Sequence, residues 1–272
     1  MKFDQIETPD ELKLYLDSPF VYKSTVKCFY HYTTLDSLAE IIHGSSLKFS
    51  SLATMNDILE ENVFGKYCNE KFFCLMVSKT ENFGMWAMYG GLTKTKEEID
   101  RNPKAINVKI CFPASTLKKL CEQGVRAHLV AYADFAGAYK DSETEDANKG
   151  YLYRCGAKKT SQFFNCDKEQ FAGYLKDWAW QYESELRLCL KKENPNDNKP
   201  SIKSFAPDFL KDLKVVPSPL ISKEECEIKF SEVLKQKDYE LGIDINNLFV
   251  VNDYYGRVRP KDLEILKKEI VF

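Results

Sequence analysis

Trp180-Gln181-Tyr182-Glu183-Ser184-Glu185-Leu186-Arg187, continuing into Leu188-Cys189-Leu190, is the stretch on which the reading of the fold turns. Taken as a strand, its side chains alternate between two faces. Trp180, Tyr182, Ser184 and Leu186 fall on one, a core face; Gln181, Glu183, Glu185 and Arg187 fall on the other. Leu188-Cys189-Leu190 is apolar on both faces, which argues for a central rather than an edge strand. An amide, two carboxylates and a guanidinium in one row on a central strand suit a water-filled cleft. The alternative is a solvated outer face where Glu and Arg pair for little gain.

Working outward, Thr8-Pro9-Asp10-Glu11 is a capping box with Pro in the first turn, predicting a helix to about Leu16. Lys27 to Tyr32 is aromatic and β-prone. Leu35, Leu38, Ala39 and Ile42 then recur at helical spacing, with Thr33 or Thr34 as cap and Gly44 as terminator. Further strands are expected at 47–50, 71–78, 107–112 and 127–132, with a helix at 115–123. A loop is expected at 141–150 and a helix at 167–176, before the strand at 180–190. Residues 191–200 are turn-rich, Ser222-Lys223-Glu224-Glu225 opens a helix to about Gln236, 248–251 reads as a short strand, and Pro260 opens a terminal helix. Strands and helices mix without βαβ alternation. The expectation is an α+β fold with mixed, mostly antiparallel central sheets flanked by helices. It is read as a single domain over 1–272: a motif-bearing core at 28–190 and a C-terminal helical extension at 191–272 packed on it.

The composition narrows the function classes. Thirty-nine Lys and Arg against 41 Asp and Glu give a net charge of -2, which offers no general attraction to nucleic acid or to an anionic membrane. No window approaches the roughly 20 apolar residues of a membrane span, and the first residues lack an apolar signal core. The nine cysteines form no C-x-x-C pair, and several sit in apolar runs. They read as buried small hydrophobes in a reducing cytoplasm, not as a disulfide framework or a zinc site.

Three histidines narrow the chemistry. His43, beside Gly44, suits a helix C-terminus. His128 lies in an apolar strand and reads as a satisfied core residue. His31 ends the aromatic strand Cys28-Phe29-Tyr30-His31-Tyr32 ahead of Thr33-Thr34, where ligand-facing side chains gather. Met85-Trp86 and Tyr89 form a compact aromatic turn, either core or a stacking wall for a planar ligand. Asn56-Asp57 reads as a turn. There is no phosphate loop, dinucleotide fingerprint, nucleophile elbow or H-E-x-x-H.

Taken in order, these pieces resemble a widespread bacterial family catalogued as domain of unknown function 2971. They are Tyr30-His31-Tyr32-Thr33, Leu47-Lys48-Phe49-Ser50, Asn56-Asp57 with Glu60, Ser78-Lys79, Met85-Trp86 with Tyr89, and the stretch 180–187. The usual Pro after Asn-Asp is Ile58 here, and Leu92 to Lys104 is longer than expected. The family looks like a distant branch of the ADP-ribosyltransferase fold. That resemblance implies a His on an early strand, a hydroxyl on the next and a Glu on a later one: His31, Ser50 or Ser51, and Glu185 or Glu183. It implies NAD as substrate with no metal, and catalytic Glu185 and Glu183. The nucleotide contacts would come from His31, Tyr32, Thr33, Ser50, Ser51, Trp86, Tyr89 and Arg187, in one cleft with the glutamates.

The implied chemistry is coherent. Cleaving the nicotinamide–ribose bond passes through an oxocarbenium-like cation that a carboxylate stabilises. A second carboxylate orients or deprotonates an acceptor, an aromatic ring stacks on nicotinamide, and Arg187 pairs with a glutamate or with pyrophosphate. The expected function is thus an NAD-consuming ADP-ribosyltransferase or NAD glycohydrolase. The alternative is a non-catalytic nucleotide-binding or interaction module of a bacterial defence or toxin system. A nucleic-acid-acting effector is disfavoured by the lack of a basic tract, and no membrane partner is expected.

Overall fold

The computed structural model describes residues 3–19, 26–77, 82–89, 96–133, 149–154, 157–162, 168–242, 244 and 247–253. The expected terminal helix from Pro260, most of the 141–150 loop and Ser78-Lys79 lie outside them. In chain order the elements are α1 (Pro9–Leu16), β1 (Cys28–Thr34), α2 (Leu35–Gly44), β2 (Ser46–Phe49), α3 (Ile58–Phe64), β3 (Glu70–Met76), α4 (Phe83–Tyr89), α5 (Lys96–Arg101), β4 (Asn107–Pro113) and α6 (Ala114–Glu122). There follow β5 (Arg126–Leu129), β6 (Ala131–Ala133), β7 (Lys149–Arg154), β8 (Ala157–Gln162), α7 (Lys168–Phe171), β9 (Leu175–Asp177), β10 (Glu185–Lys191), β11 (Ser201–Ser204), β12 (Lys214–Pro217) and α8 (Lys223–Lys237). The fold is mixed α+β, and among the described residues no helix is long and apolar enough to cross a membrane. The chain divides into two compact units, residues 1–27, 47–79 and 117–203, and residues 28–46, 80–116 and 204–272.

Local chemistry sets the helix ends. The Thr8 hydroxyl accepts from the Glu11 N–H and the Glu11 carboxylate accepts from the Thr8 N–H, closing the expected box. Thr34 caps α2 and Ser222 caps α8 in the same way at one end. α2 ends differently from expectation: Ser45 takes the left-handed cap at φ 43, and Gly44 is the last helical residue. A Cβ on Gly44 would come within 2.7 Å of the Ser46 hydroxyl, so this glycine permits a close approach.

In the first unit, β10 lies between β3 and β5, antiparallel to both, with Arg187 opposite Cys74 on one side and His128 on the other. The expected strand at 127–132 is two strands. Val130 separates them, its N–H donating to the Glu185 carbonyl at 3.0 Å, and the chain passes into a second sheet ordered β8-β7-β6-β9. Only the β6–β9 pair there is parallel. The expected helix at 167–176 stops at Phe171, because Gly173 turns to φ +84 and the chain enters β9. The expected strand at 180–190 is corrected as well. Trp178–Glu183 is a 3-10 helix begun by the Asp177 carboxylate, which accepts from the Ala179 N–H, and Ser184 is left-handed. The strand begins only at Glu185.

In the second unit, β4 lies between β1 and β12, antiparallel to both. The register sets His31 and Val215 opposite Ile110, and Tyr32 opposite Lys109. One sheet face therefore carries Phe29, His31, Thr33, Val108, Ile110, Phe112 and Val215, and most of it is buried. The other carries Tyr30, Tyr32, Lys109 and Cys111. Helix α8 buries Cys226, Phe230, Val233 and Leu234, with the Phe230 and Phe249 rings 5.5 Å apart. Residues 248–251 contribute a single bridge, Phe249 to Val215, in place of the expected strand.

Candidate functional site

Glu183, Glu185 and Arg187 line neither the expected water-filled cleft nor a solvated face; they are gathered into a buried charge network. Glu183 ends the 3-10 helix and Glu185 starts β10, with the left-handed Ser184 between them. Strand alternation does not relate the two carboxylates; a shared ammonium does. Lys176 Nζ is 2.6 Å from Glu183 and 3.5 Å from Glu185. Arg187 takes Glu185 from the other side, Nε to Oε1 at 2.9 Å and Nη2 to Oε2 at 3.1 Å. Its outer edge grips both oxygens of Glu60, with Nη2 to Oε2 at 2.8 Å, and Nη1 also donates to the Gly173 carbonyl at 2.9 Å. All five guanidinium hydrogens are thereby engaged. The glutamate partner expected for Arg187 is Glu185, and Glu60 is a second.

The network is dry. Relative exposures are 0% for Arg187, 3% for Glu185, 5% for Glu183 and 1% for Glu60. Burial works to raise the Glu185 pKa, but Arg187 and Lys176 together outweigh it and hold the carboxyl down to about 2. Burial likewise opposes the charge on Lys176 and Arg187, and the neighbouring carboxylates push both well above their ordinary values. At Glu60 burial is the largest influence and moves the carboxyl upward, against Arg187. The two-pronged pairing with both its oxygens is nonetheless the geometry of an ionised carboxylate. The Glu185 N–H donates to the Tyr132 hydroxyl at 2.7 Å, so backbone and side chain are both fixed. Gly173 lets the arrangement close: a Cβ there would sit 2.4 Å from the Phe72 ring, over which the Arg187 guanidinium lies at 4.9 Å.

Lys176 was missed in sequence, and Glu60 carried no role there. The signal for Lys176 was present: an ionisable group closing the apolar run Phe171-Ala172-Gly173-Tyr174-Leu175 needs a buried partner. Glu60 is placed by Asp57, whose carboxylate accepts from the Leu59 and Glu60 N–H groups and starts α3. The expected Asn56-Asp57 turn is thus a helix cap.

The remaining candidates divide among other duties. Ser50 pairs its backbone with Phe72, and the buried Ser51 hydroxyl donates to the Asn198 carbonyl at 2.9 Å, pinning the 191–200 turn. In the second unit, Tyr32 and the fully buried Trp86 meet edge to face at 4.8 Å. Lys109, 6% exposed, brings its ammonium to 5.0 Å from the Tyr30 ring, 6.0 Å from Tyr32 and 5.7 Å from Trp86. The Tyr89 carbonyl accepts from the Asn107 amide. His31 and Thr33 lie on the opposite sheet face from Tyr32. His31 belongs to the second unit, and Glu183 and Glu185 belong to the first.

One group of side chains among the described residues can hold a metal ion. Glu70, His128 and Cys189 bring ligand atoms within 4.8 Å of one another. His128 is not the satisfied core residue expected from sequence. Its Nδ1 meets the Leu129 carbonyl at 3.1 Å, while its buried Nε2 has no hydrogen-bond partner. Burial and the Arg187 charge hold its pKa down to about 3, so the ring is neutral.

No family model matches the chain, and no curated protein or solved structure matches it.

Proposed function

We propose that this chain is a nucleotide-binding module of ADP-ribosyltransferase-like build, with NAD or a close analogue as the ligand class and with Glu185 serving the fold rather than turnover. The ligand class rests on the resemblance carried by Tyr30-His31-Tyr32-Thr33 and the stretch 180–187. One observation carries the preference for binding over catalysis. Glu185 is buried and neutralised on both sides, by Arg187 and by Lys176. A carboxylate that stabilises an oxocarbenium ion must face the ribose with its charge uncompensated. Two cations at contact distance cancel much of that field before a substrate arrives.

The catalytic reading, an NAD-consuming ADP-ribosyltransferase or NAD glycohydrolase, has its own supporting observation. Glu183 and Glu185 share one ammonium, so two carboxylates meet as a paired-glutamate mechanism needs. On that reading Glu185 and Glu183 are catalytic and His31 must join them at the ribose.

Calorimetric titration with NAD, run beside an assay of nicotinamide release, separates the two. Saturable binding without release supports the module. Release that falls about 10²-fold or more in Glu185→Gln, with the fold intact by circular dichroism, supports the enzyme. Absence of both binding and release would sink the nucleotide reading altogether.

A further inference from the structure

We propose that Glu70, His128 and Cys189 form a binding site for a divalent transition metal of the zinc class. The three residues come from β3, β5 and β10 of the first unit, 58 and 61 positions apart along the chain, so no spacing motif announces them. The β-sheet register places the three on one face, and their ligand atoms lie within 4.8 Å of one another. Cys189 lies opposite Phe72 on one neighbour and Arg126 on the other, and Glu70 and His128 are each two residues from those partners. In a pleated sheet a two-residue step returns to the same face, so all three side chains share one side.

The second observation is the orphaned nitrogen. His128 is 1% exposed, and stacking on Tyr174, with ring centroids 3.9 Å apart, gives its Nε2 no hydrogen-bond partner. Leaving such an atom buried without a partner is unfavourable, so an occupant that supplies one is favoured. The other ring nitrogen donates to the Leu129 carbonyl. With Nδ1 engaged in this way, Nε2 is the ring nitrogen left to ligate, the second-shell arrangement that supports a metal-bound imidazole.

The donor set selects the ion. Imidazole, thiolate and carboxylate together suit zinc and its neighbours rather than magnesium or calcium, which prefer oxygen alone. A neutral imidazole, one thiolate and one carboxylate balance a divalent ion to zero net charge, the least costly state in a buried place. Cys189 would enter as thiolate, its proton leaving to solvent. Ligand atoms about a tetrahedral zinc stand roughly 3.3–3.8 Å apart, so binding draws the three together by up to about 1.5 Å from their present spread of 4.8 Å. Three protein ligands leave one position for water. Glu70, with 16% side-chain exposure, provides the approach. Its carboxylate is shared with Arg126, whose positive charge competes with the incoming ion.

The test is a Co²⁺ titration of the full chain after chelator treatment, followed by displacement with Zn²⁺. The expected result is a saturable absorption with a thiolate-to-cobalt charge-transfer band, bleached by one equivalent of Zn²⁺. That band should vanish in Cys189→Ser, and affinity should fall at least tenfold in His128→Gln. Should the buried variants misfold by circular dichroism, the pair at the edge decides: Glu70→Gln should weaken binding about tenfold and Arg126→Gln should tighten it several-fold. Wild-type protein that gives no saturable band overturns the proposal. So does a thiolate band that survives in folded Cys189→Ser, or edge variants that leave affinity unchanged.

Discussion

Among the described residues, two buried cation sites hold their charge in different ways. In the first unit Arg187 and Lys176 lie among three carboxylates, with every guanidinium hydrogen assigned. In the second unit Lys109 brings its ammonium within 6.0 Å of three aromatic rings. The first solution is directional, and removing one member leaves charges stranded. The ring contacts of the second are diffuse, since a ring face attracts a cation without fixing its angle. The difference predicts a brittle network in one unit and a tolerant patch in the other.

The largest effect should follow from Arg187→Met. It keeps an unbranched side chain but leaves Glu60 and Glu185 buried without their shared cation, and such a break costs about 3–5 kcal/mol. Chemical denaturation checks this; a loss below about 1 kcal/mol would mean the glutamates find water or protonate cheaply.

The next effect is in pH. Glu185 titrates at about 2 folded against 4.5 as an ordinary carboxyl. A depressed carboxylate contributes stability that is fully present above about pH 4.5 and is lost as pH falls toward 2, on the order of 3 kcal/mol. Unfolding free energy measured across that window should fall for wild type and flatten in Glu185→Gln. A wild-type curve that is already flat would break the pairing.

The smallest effect belongs to the aromatic patch. Lys109→Met exchanges a desolvated ammonium for a thioether that also packs well on rings, so the lost cation–π attraction is offset by the desolvation relieved. The same denaturation measurement should give a change within about 1 kcal/mol. A loss rivalling that of Arg187→Met would erase the contrast between the two sites.

Sequence reading succeeded where a few neighbouring atoms decide the structure. Thr8 with Glu11, Thr34 and Ser222 cap helices as their side chains dictate, and the α+β class followed from element order. It failed where a local pattern was open to two geometries. Trp180 to Arg187 fits period two, yet Asp177 captures the Ala179 N–H and winds the first half into a 3-10 helix. The glutamates still converge, because Lys176 rather than the pleat gathers them. Partners distant in sequence were out of reach. Glu60 meets Arg187 across 127 positions, and Cys189 meets His128 only through the pairing of β5 with β10. The serines show a third limit. Ser51 has the residue type a nucleotide contact needs, but the fold spends its hydroxyl on the Asn198 carbonyl.

The buried network also bears on which positions in this chain are replaceable. Saturation mutagenesis is usually expected to be harshest on charged groups and large core side chains. Position 173 has neither, yet its backbone is left-handed, a Cβ would strike Phe72, and its carbonyl completes the coordination of Arg187. Alanine, the mildest substitution in most contexts, is therefore disruptive here, and the vacancy where a side chain would stand is as much a component of the charge network as the glutamates.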